Sequence, residues 1–142
     1  MAGHLIRRLN QASTQVFTRR LGEAGFDLTS VQFAAMDAII ANPGIEQAGV
    51  AARIAYDRAT IGGVIDRLEQ KGLVSRNVRR RDRRAREVWP TDRGVQVYDA
   101  SLPVVTALQD EILPGLTAEE RARFLKLAAK ALGGSRDGQL GG

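Results

Sequence analysis

The residue type with the most chemistry to offer in this chain is arginine. Between Arg76 and Arg86 stand seven arginines and one aspartate, a formal +6 in a chain that totals +5, so the remainder sums to −1. Arginine outnumbers lysine 18 to 3, and the sequence pI is about 10.4. A guanidinium is a planar fork of donors that matches phosphate oxygens and the edge of guanine, whereas an ammonium is a point charge. Positive charge concentrated in one short stretch is the footprint that a polyanion requires. The alternative is a solvated basic loop. Other chemistries lack parts. There is no cysteine, which excludes disulfides, thiolate metal sites and thiol redox sensing. The one histidine, His4, is too little for a triad or a multi-histidine metal site. With no Gly-rich phosphate loop either, no enzyme, metal or cofactor is expected.

The elements that must position these arginines can be read from periodicity and punctuation. Residues 3–22 form a first helix, with Leu5, Leu9, Ala12, Val16 and Leu21 near helical spacing and Gly22 and Gly25 ending it. Thr29 to Gln32 has the form of a capping box opening a second helix through Ala41, which Asn42-Pro43-Gly44 stops. Residues 46–55 form a short third helix with Val50, Ala51 and Ile54 inward, and Tyr56 makes the turn. Asp57 caps a fourth helix, 58–71, whose apolar face is Ile61, Val64, Ile65 and Leu68. Leu73–Asn77 and Glu87–Trp89 are two short strands joined by an arginine-rich loop, 78–86. Thr91 or Asp92 caps a fifth helix reaching Leu113, kinked at Pro103. Thr117 to Glu120 opens a sixth, 118–132, and residues 133–142 form a disordered tail.

Three successive helices followed by a hairpin with a cationic tip is the order of a winged helix-turn-helix. The fourth helix packs its apolar side inward and presents Arg58, Thr60, Gly62, Gly63 and Arg67 on the other. The N-terminal residues of such a helix reach base edges in the major groove. There Arg58 can fork onto guanine and Thr60 can bond a base or a phosphate. Each glycine of the pair costs a helix roughly 1 kcal/mol relative to alanine. Either bare backbone permits close approach to DNA, or the helix packs tightly on a neighbour. In the hairpin, Arg79, Arg80, Arg81, Arg83, Arg84 and Arg86 cannot all be buried. Asp82 can hold Arg84 extended for a narrow minor groove, or the two form a surface ion pair worth under about 1 kcal/mol.

From Leu28 to Gly94 the chain resembles the multiple-antibiotic-resistance regulator (MarR) family. The matching stretches are LTSVQFAAMDAI, DRATIGGVIDRLEQKGLVSR and DRRAREVWPTDRG. The last is similar to the family signature Asp-x-Arg, five residues, Leu-Thr-x-x-Gly, here Asp82, Arg84, Thr91 and Gly94, with Pro90 in place of the signature's Leu. Proline cannot donate a ladder bond, which leaves the end of the second wing strand open. The flanking helices fit too. The resemblance implies a mainly α fold with a small β-hairpin wing (α+β), a six-helix dimeric architecture. It implies one MarR-like chain over 1–132, with 28–94 binding DNA and 1–25 plus 95–132 forming the dimer. Arg58, Ala59, Thr60 and Gly62 would face the major groove and Arg84 the minor groove. It implies a homodimeric repressor on a pseudo-palindromic double-stranded DNA operator, released by a small aromatic, anionic effector.

Where such an effector would sit is suggested by the first helix. His4, Arg8, Gln11 and Gln15 recur at i, i+4, i+7 and i+11, with Arg7 adjacent. Cations beside amides can hold a carboxylate, with Phe33 or Met36 as apolar walls. The alternative is a solvated stripe or interfacial salt bridges. HLIRRLNQ and LTSVQFAA also look like a MarR branch linked to nicotinate-type aromatic acid catabolism. No apolar run approaches the roughly 18 residues of a membrane span, and the start MAGHLIRRLNQ is amphipathic rather than a signal peptide, so a cytoplasmic protein with no membrane partner is expected. A winged-helix protein-interaction module without DNA readout is the competing function; the +6 hairpin argues against it, since such a module needs no concentrated cationic loop.

Overall fold

Side-chain caps set where the helices begin. In the computed structural model, which describes residues 1–78 and 86–133, Thr29 accepts from the Gln32 N–H and Gln32 returns a bond to the Thr29 N–H, opening α2 (Ser30–Ala41). Asp57 opens α4 (Arg58–Gln70), and the reciprocal pair Thr117 and Glu120 opens α6 (Ala118–Ala131). Helix α1 (Ala2–Glu23) has no side-chain cap, and α3 spans Gln47–Arg53. These bonds satisfy N–H groups that a first helical turn otherwise leaves unpaired.

The chain divides into two compact units, Met1–Leu108 and Gln109–Gly142. The first holds a three-stranded antiparallel sheet in the order β1 (Ile45–Glu46), β3 (Arg86–Pro90), β2 (Val74–Val78). In it Ile45 faces Val88 across one ladder, and Val74 faces Pro90 and Val78 faces Arg86 across the other. Strand β1 was not expected, and it makes β3 the central strand. Pro90 does not end the pairing early: the next N–H, of Thr91, donates to the Leu73 carbonyl at 3.1 Å. Ala35, Met36 and Ile39 of α2, Val50 and Ala51 of α3, and Ile61, Ile65 and Leu68 of α4 meet Leu28, Leu73, Val74 and Val88 in one buried core.

Three expectations are corrected. The third helix, expected over 46–55, ends at Arg53, because Ala55 takes a left-handed φ of 57°, which costs an L-residue about 1–2 kcal/mol; the Tyr56 N–H then closes the turn onto the Ala51 carbonyl at 2.9 Å. Helix α5 runs Asp92–Leu108 and stops short of Leu113, because the backbone tightens into a 3-10 turn at Gln109–Glu111. Leu5 and Leu9 are 55% and 36% exposed, so the apolar face expected of α1 is buried only in its second half, at Phe17 and Leu21. Thr91, rather than Asp92, caps α5: its hydroxyl accepts from the Gly94 N–H at 3.0 Å and donates to the Gly72 carbonyl at 2.7 Å. Gly94 is required by close approach, since a Cβ there would stand 2.0 Å from the Leu73 carbonyl oxygen.

In the second unit, Arg121 of α6 donates to the Asp110 carbonyl at 3.3 Å. Leu125, Leu127 and Leu132 stand 66%, 58% and 78% exposed. Residues 134–142, which include all but the first residue of the tail expected to be disordered, lie outside the described residues. Among the described residues no helix is long and apolar enough to cross a membrane.

Candidate nucleic-acid interface

Helix α4 buries Ile61, Ile65 and Leu68, with Val64 packed partly against the same core. At 100° per residue this turns Ala59, Gly63, Asp66, Arg67 and Gln70 outward, with Arg58 and Thr60 on the flanks. Arg58, Ala59, Thr60, Gly63 and Arg67 are exposed, and Arg58 and Arg67 make no ion pair among the described residues. Gly62 is half-buried, and a Cβ on it would stand 3.4 Å from the Gln47 amide nitrogen of α3. A Cβ on Gly63 would meet nothing within 4 Å. Tight packing therefore has some bearing on Gly62 and none on Gly63.

The start of α4 is electrostatically fixed. Asp57 accepts from the Thr60 N–H through one carboxylate oxygen and from the Thr60 hydroxyl through the other, both at 2.8 Å. These bonds, the hydroxyl's first, hold the Asp57 carboxyl below its ordinary value of 3.8, so it stays ionised at neutral pH. The one hydroxyl proton of Thr60 is spent on Asp57. What Thr60 offers outward is lone pairs and a methyl group, suited to a base amino group or a thymine methyl and unsuited to a phosphate, which needs a donor.

The arginine-rich stretch divides. Arg79, Arg80, Arg81, Asp82, Arg83 and Arg84 lie outside the described residues. Arg86 opens β3 and is exposed. Arg76, counted above in the cationic stretch, is spoken for: its guanidinium donates to Asp66 at 2.5 Å and Glu69 at 2.9 Å on α4, and to the Gln47 side-chain amide oxygen at 3.3 Å on α3. The bond to Glu69 first, and then the Asp66 bond and the two carboxylate charges, raise its pKa above the ordinary arginine value against the opposing pull of burial. Sequence reading missed Asp66, Glu69 and Gln47; the signal was an acidic pair at i, i+3 on the helix just ahead of the strand.

The residues expected to hold an effector are not gathered within one chain. His4, Arg7, Arg8 and Gln11 are exposed on the first half of α1. Phe33 stacks on Tyr98 of α5 at 5.1 Å and leans on Phe17 of α1 at 5.9 Å. Phe17 lies 13 residues beyond His4, about 20 Å along the helix. Met36, expected as a wall, is 1% exposed in the core, because the face of α2 that carries it packs on Gly94 and the sheet. A cleft of about 280 Å³ opens elsewhere, between Phe26, Lys71, Arg93 and Val97. The Lys71 ammonium at its edge is held by the Asp27 carbonyl at 2.6 Å and the Gln32 side-chain oxygen at 2.8 Å. Among the described residues no group of three His, Cys, Asp or Glu side chains could hold a metal ion.

Residues 26–85 match the model described as the MarR family. The transcriptional regulator HosA of Escherichia coli O127:H6 is 36% identical over 131 residues, covering 92% of this chain and 94% of HosA. The HTH-type transcriptional repressor NicR of Pseudomonas putida is 32% identical over 130 residues, covering 92% of this chain and 81% of NicR. Among solved structures, BpsR of Bordetella bronchiseptica, whose DNA binding is regulated by 6-hydroxynicotinic acid, superposes with a TM-score of 0.80 at 27% identity, over 92% of each chain.

Proposed function

The chain belongs to the MarR family of transcriptional regulators, and from that premise we propose that it is a homodimeric repressor reading a pseudo-palindromic operator and released by a small aromatic carboxylate. Arg58 carries the reading. It is an exposed guanidinium with no described ion-pair partner, on the first residue of a helix whose start Asp57 and Thr60 fix. Such a group forks onto the N7 and O6 of guanine in the major groove. Gly63 and Ala59 form the crest that would meet the duplex, Gly62 and Arg67 flank it, and the wing arginines, Arg84 foremost, would take phosphates and the minor groove. Residues 28–94 would then bind DNA, and 1–25 with 95–132 would form the dimer. Leu5 and Ile6 of α1, Leu102 of α5 and Leu125 and Leu127 of α6, all exposed in the single chain, are the apolar surface a second copy would cover. A duplex-DNA reader of this kind works in the cytoplasm.

The effector proposal rests on two supports: the His4, Arg7, Arg8, Gln11 stripe, and the control of BpsR by an aromatic acid. A partner protomer would have to bring the apolar wall, with Phe33 the candidate from this chain. Duplex selection with the purified protein tests the main reading. The expected motif is two-fold symmetric, with half-site centres roughly 34–36 Å apart. Arg58→Ala should lose about 10- to 100-fold in affinity and flatten base preference at its contact positions. Arg84→Ala should weaken all duplexes alike and lower the salt slope by about 1. Wild-type affinity in both variants refutes the residue assignment; no duplex retained at low salt refutes DNA binding and returns the protein-interaction alternative. Absence of any thermal shift or operator release with pyridine and benzoic carboxylates ends the effector proposal.

A further inference from the structure

We infer that Arg76 is a positioning residue that fixes the wing against the recognition helix, so that one protomer can engage both grooves of a duplex together. This rests on the DNA-binding reading above and adds a role that reading does not contain. Three elements converge on one guanidinium. Its Nη2 donates to Asp66 at 2.5 Å and Glu69 at 2.9 Å, both on the C-terminal half of α4, and its Nη1 donates to the Gln47 side-chain amide oxygen at 3.3 Å at the start of α3. The Arg76 side chain is 13% exposed, against 54% and 43% for its two carboxylate partners, so the arginine lies beneath the acids.

The placement is that of a brace. Helix α4 ends at Gln70 and β2 begins at Val74, leaving three residues of turn between reading helix and wing. Across the ladder Arg76 faces Val88, the fully buried centre of β3. From there β2 runs to Val78 and leads out into the hairpin. The tilt of β2 on α4 thus sets where Arg86, paired with Val78 across the ladder, stands relative to the reading helix, and Arg76 holds that tilt while Arg58, Ala59, Thr60 and Gly63 remain exposed at the other end of the helix. The Gln47 amide closes the frame: its oxygen accepts from Arg76, and its nitrogen stands 3.4 Å from where a Gly62 Cβ would be. A planar fork presents Nη1 to one helix and Nη2 to the other at fixed geometry, which the single nitrogen of a lysine ammonium does not reproduce. With two carboxylates against it, Arg76 contributes no free positive charge to the face. A direct phosphate contact and a positioning role therefore make different predictions.

A double-mutant cycle on operator affinity separates them, with Arg86, exposed at the start of β3, as the wing probe. Arg76→Met alone would strand two carboxylates, so a second variant, Arg76→Met with Asp66→Asn and Glu69→Gln, removes the charges together and keeps the volume. The triple variant is expected to melt within a few degrees of wild type and to keep the base preferences set by α4. Arg86→Ala should cost about tenfold in the wild-type background, the size of one charge-assisted contact, and under twofold in the triple variant. Arg76→Lys should resemble the triple variant rather than wild type. Equal cost of Arg86→Ala in both backgrounds overturns the inference, as does wild-type affinity in the triple variant, or an Arg86→Ala that costs nothing in wild type. The wild-type titration in the same series reads the DNA-binding proposal by itself.

Discussion

The solvent face of α4 and the first half of α1 are both exposed, yet they are exposed differently. On α4 every large apolar side chain is at least partly covered, and what remains outside is small, polar or charged: Ala59 and Gly63, Thr60 and Gln70, Arg58 and Arg67, and the carboxylates of Asp66 and Glu69. On α1, Leu5 and Ile6 are 55% and 65% exposed alongside Arg7 and Arg8. The first face is finished by the folding of one chain. It has the chemistry of a surface that meets a polar, charged partner. The second is unfinished: side chains worth about 1.5–3 kcal/mol each if buried stand in water. A second protein surface, as in the proposed dimer, would cover them.

The largest expected effect breaks this contrast at the unfinished face. Leu5→Ser, Ile6→Ser and Leu9→Ser together should yield a monomer by sedimentation and cost at least about 100-fold in operator affinity, since linked half-site binding typically gains 10²–10⁴. The chain's own core should be untouched, because these residues are outside it. A variant that still sediments as a dimer would move the interface elsewhere, with Leu125 and Leu127 of α6 the next candidates.

Between the two faces lies a joint that belongs to neither. Tyr98 of α5 stacks on Phe33 of α2 and donates its hydroxyl to Asp37 at 2.5 Å. Burial first, and then the Asp37 bond and charge, push its pKa up to about 12 from 10.0. A raised pKa means that folding favours the protonated phenol. The stability this bond contributes is therefore complete below pH 10 and is lost as pH climbs from there to about 12. Tyr98→Phe should cost about 1–2 kcal/mol at neutral pH and flatten the loss over that alkaline window, read by denaturant melts at several pH values. Dimerisation and base preference should stay as in wild type. A change in either would mean that the joint couples the two faces and that they are not independently finished.

What could be read before the fold was seen followed from how local each signal is. The caps at Thr29, Asp57 and Thr117 each use a partner three residues away, and all three are where the sequence puts them. The apolar spacing of α4 holds as well, because its whole covering surface lies within the same chain. Strand β1 was illegible, since two residues cannot show a period of two. The end of α5 was misread because Leu108 and Ile112 keep helical spacing after the backbone has left the helix. The α1 stripe revealed an apolar face but not what covers it. Arg76 looked like one cation among seven; its partners sit 7, 10 and 29 residues away, and the i, i+3 spacing of Asp66 and Glu69 marks an acidic pair without saying which arginine meets it.

The smallest effect sharpens the contrast at the finished face. A helical glycine costs about 0.5–1 kcal/mol relative to alanine, and Gly63 has no packing reason to be one, since a Cβ there meets nothing within 4 Å. Gly63→Ala should therefore raise the melting temperature by about 2–4 °C, as removing that cost does in a chain of this length. If the crest of α4 lies against duplex, the same methyl group should lower operator affinity by up to about tenfold, so that stability and binding move in opposite directions. Gly62→Ala is the matched control, because its Cβ would touch the Gln47 amide at 3.4 Å and its stability gain should be smaller. A Gly63→Ala protein that is more stable and binds as wild type would show that the crest never touches DNA. The reading edge would then be carried by Arg58 and Thr60 on its flanks, and the bare backbone would be only a cost the fold has not shed.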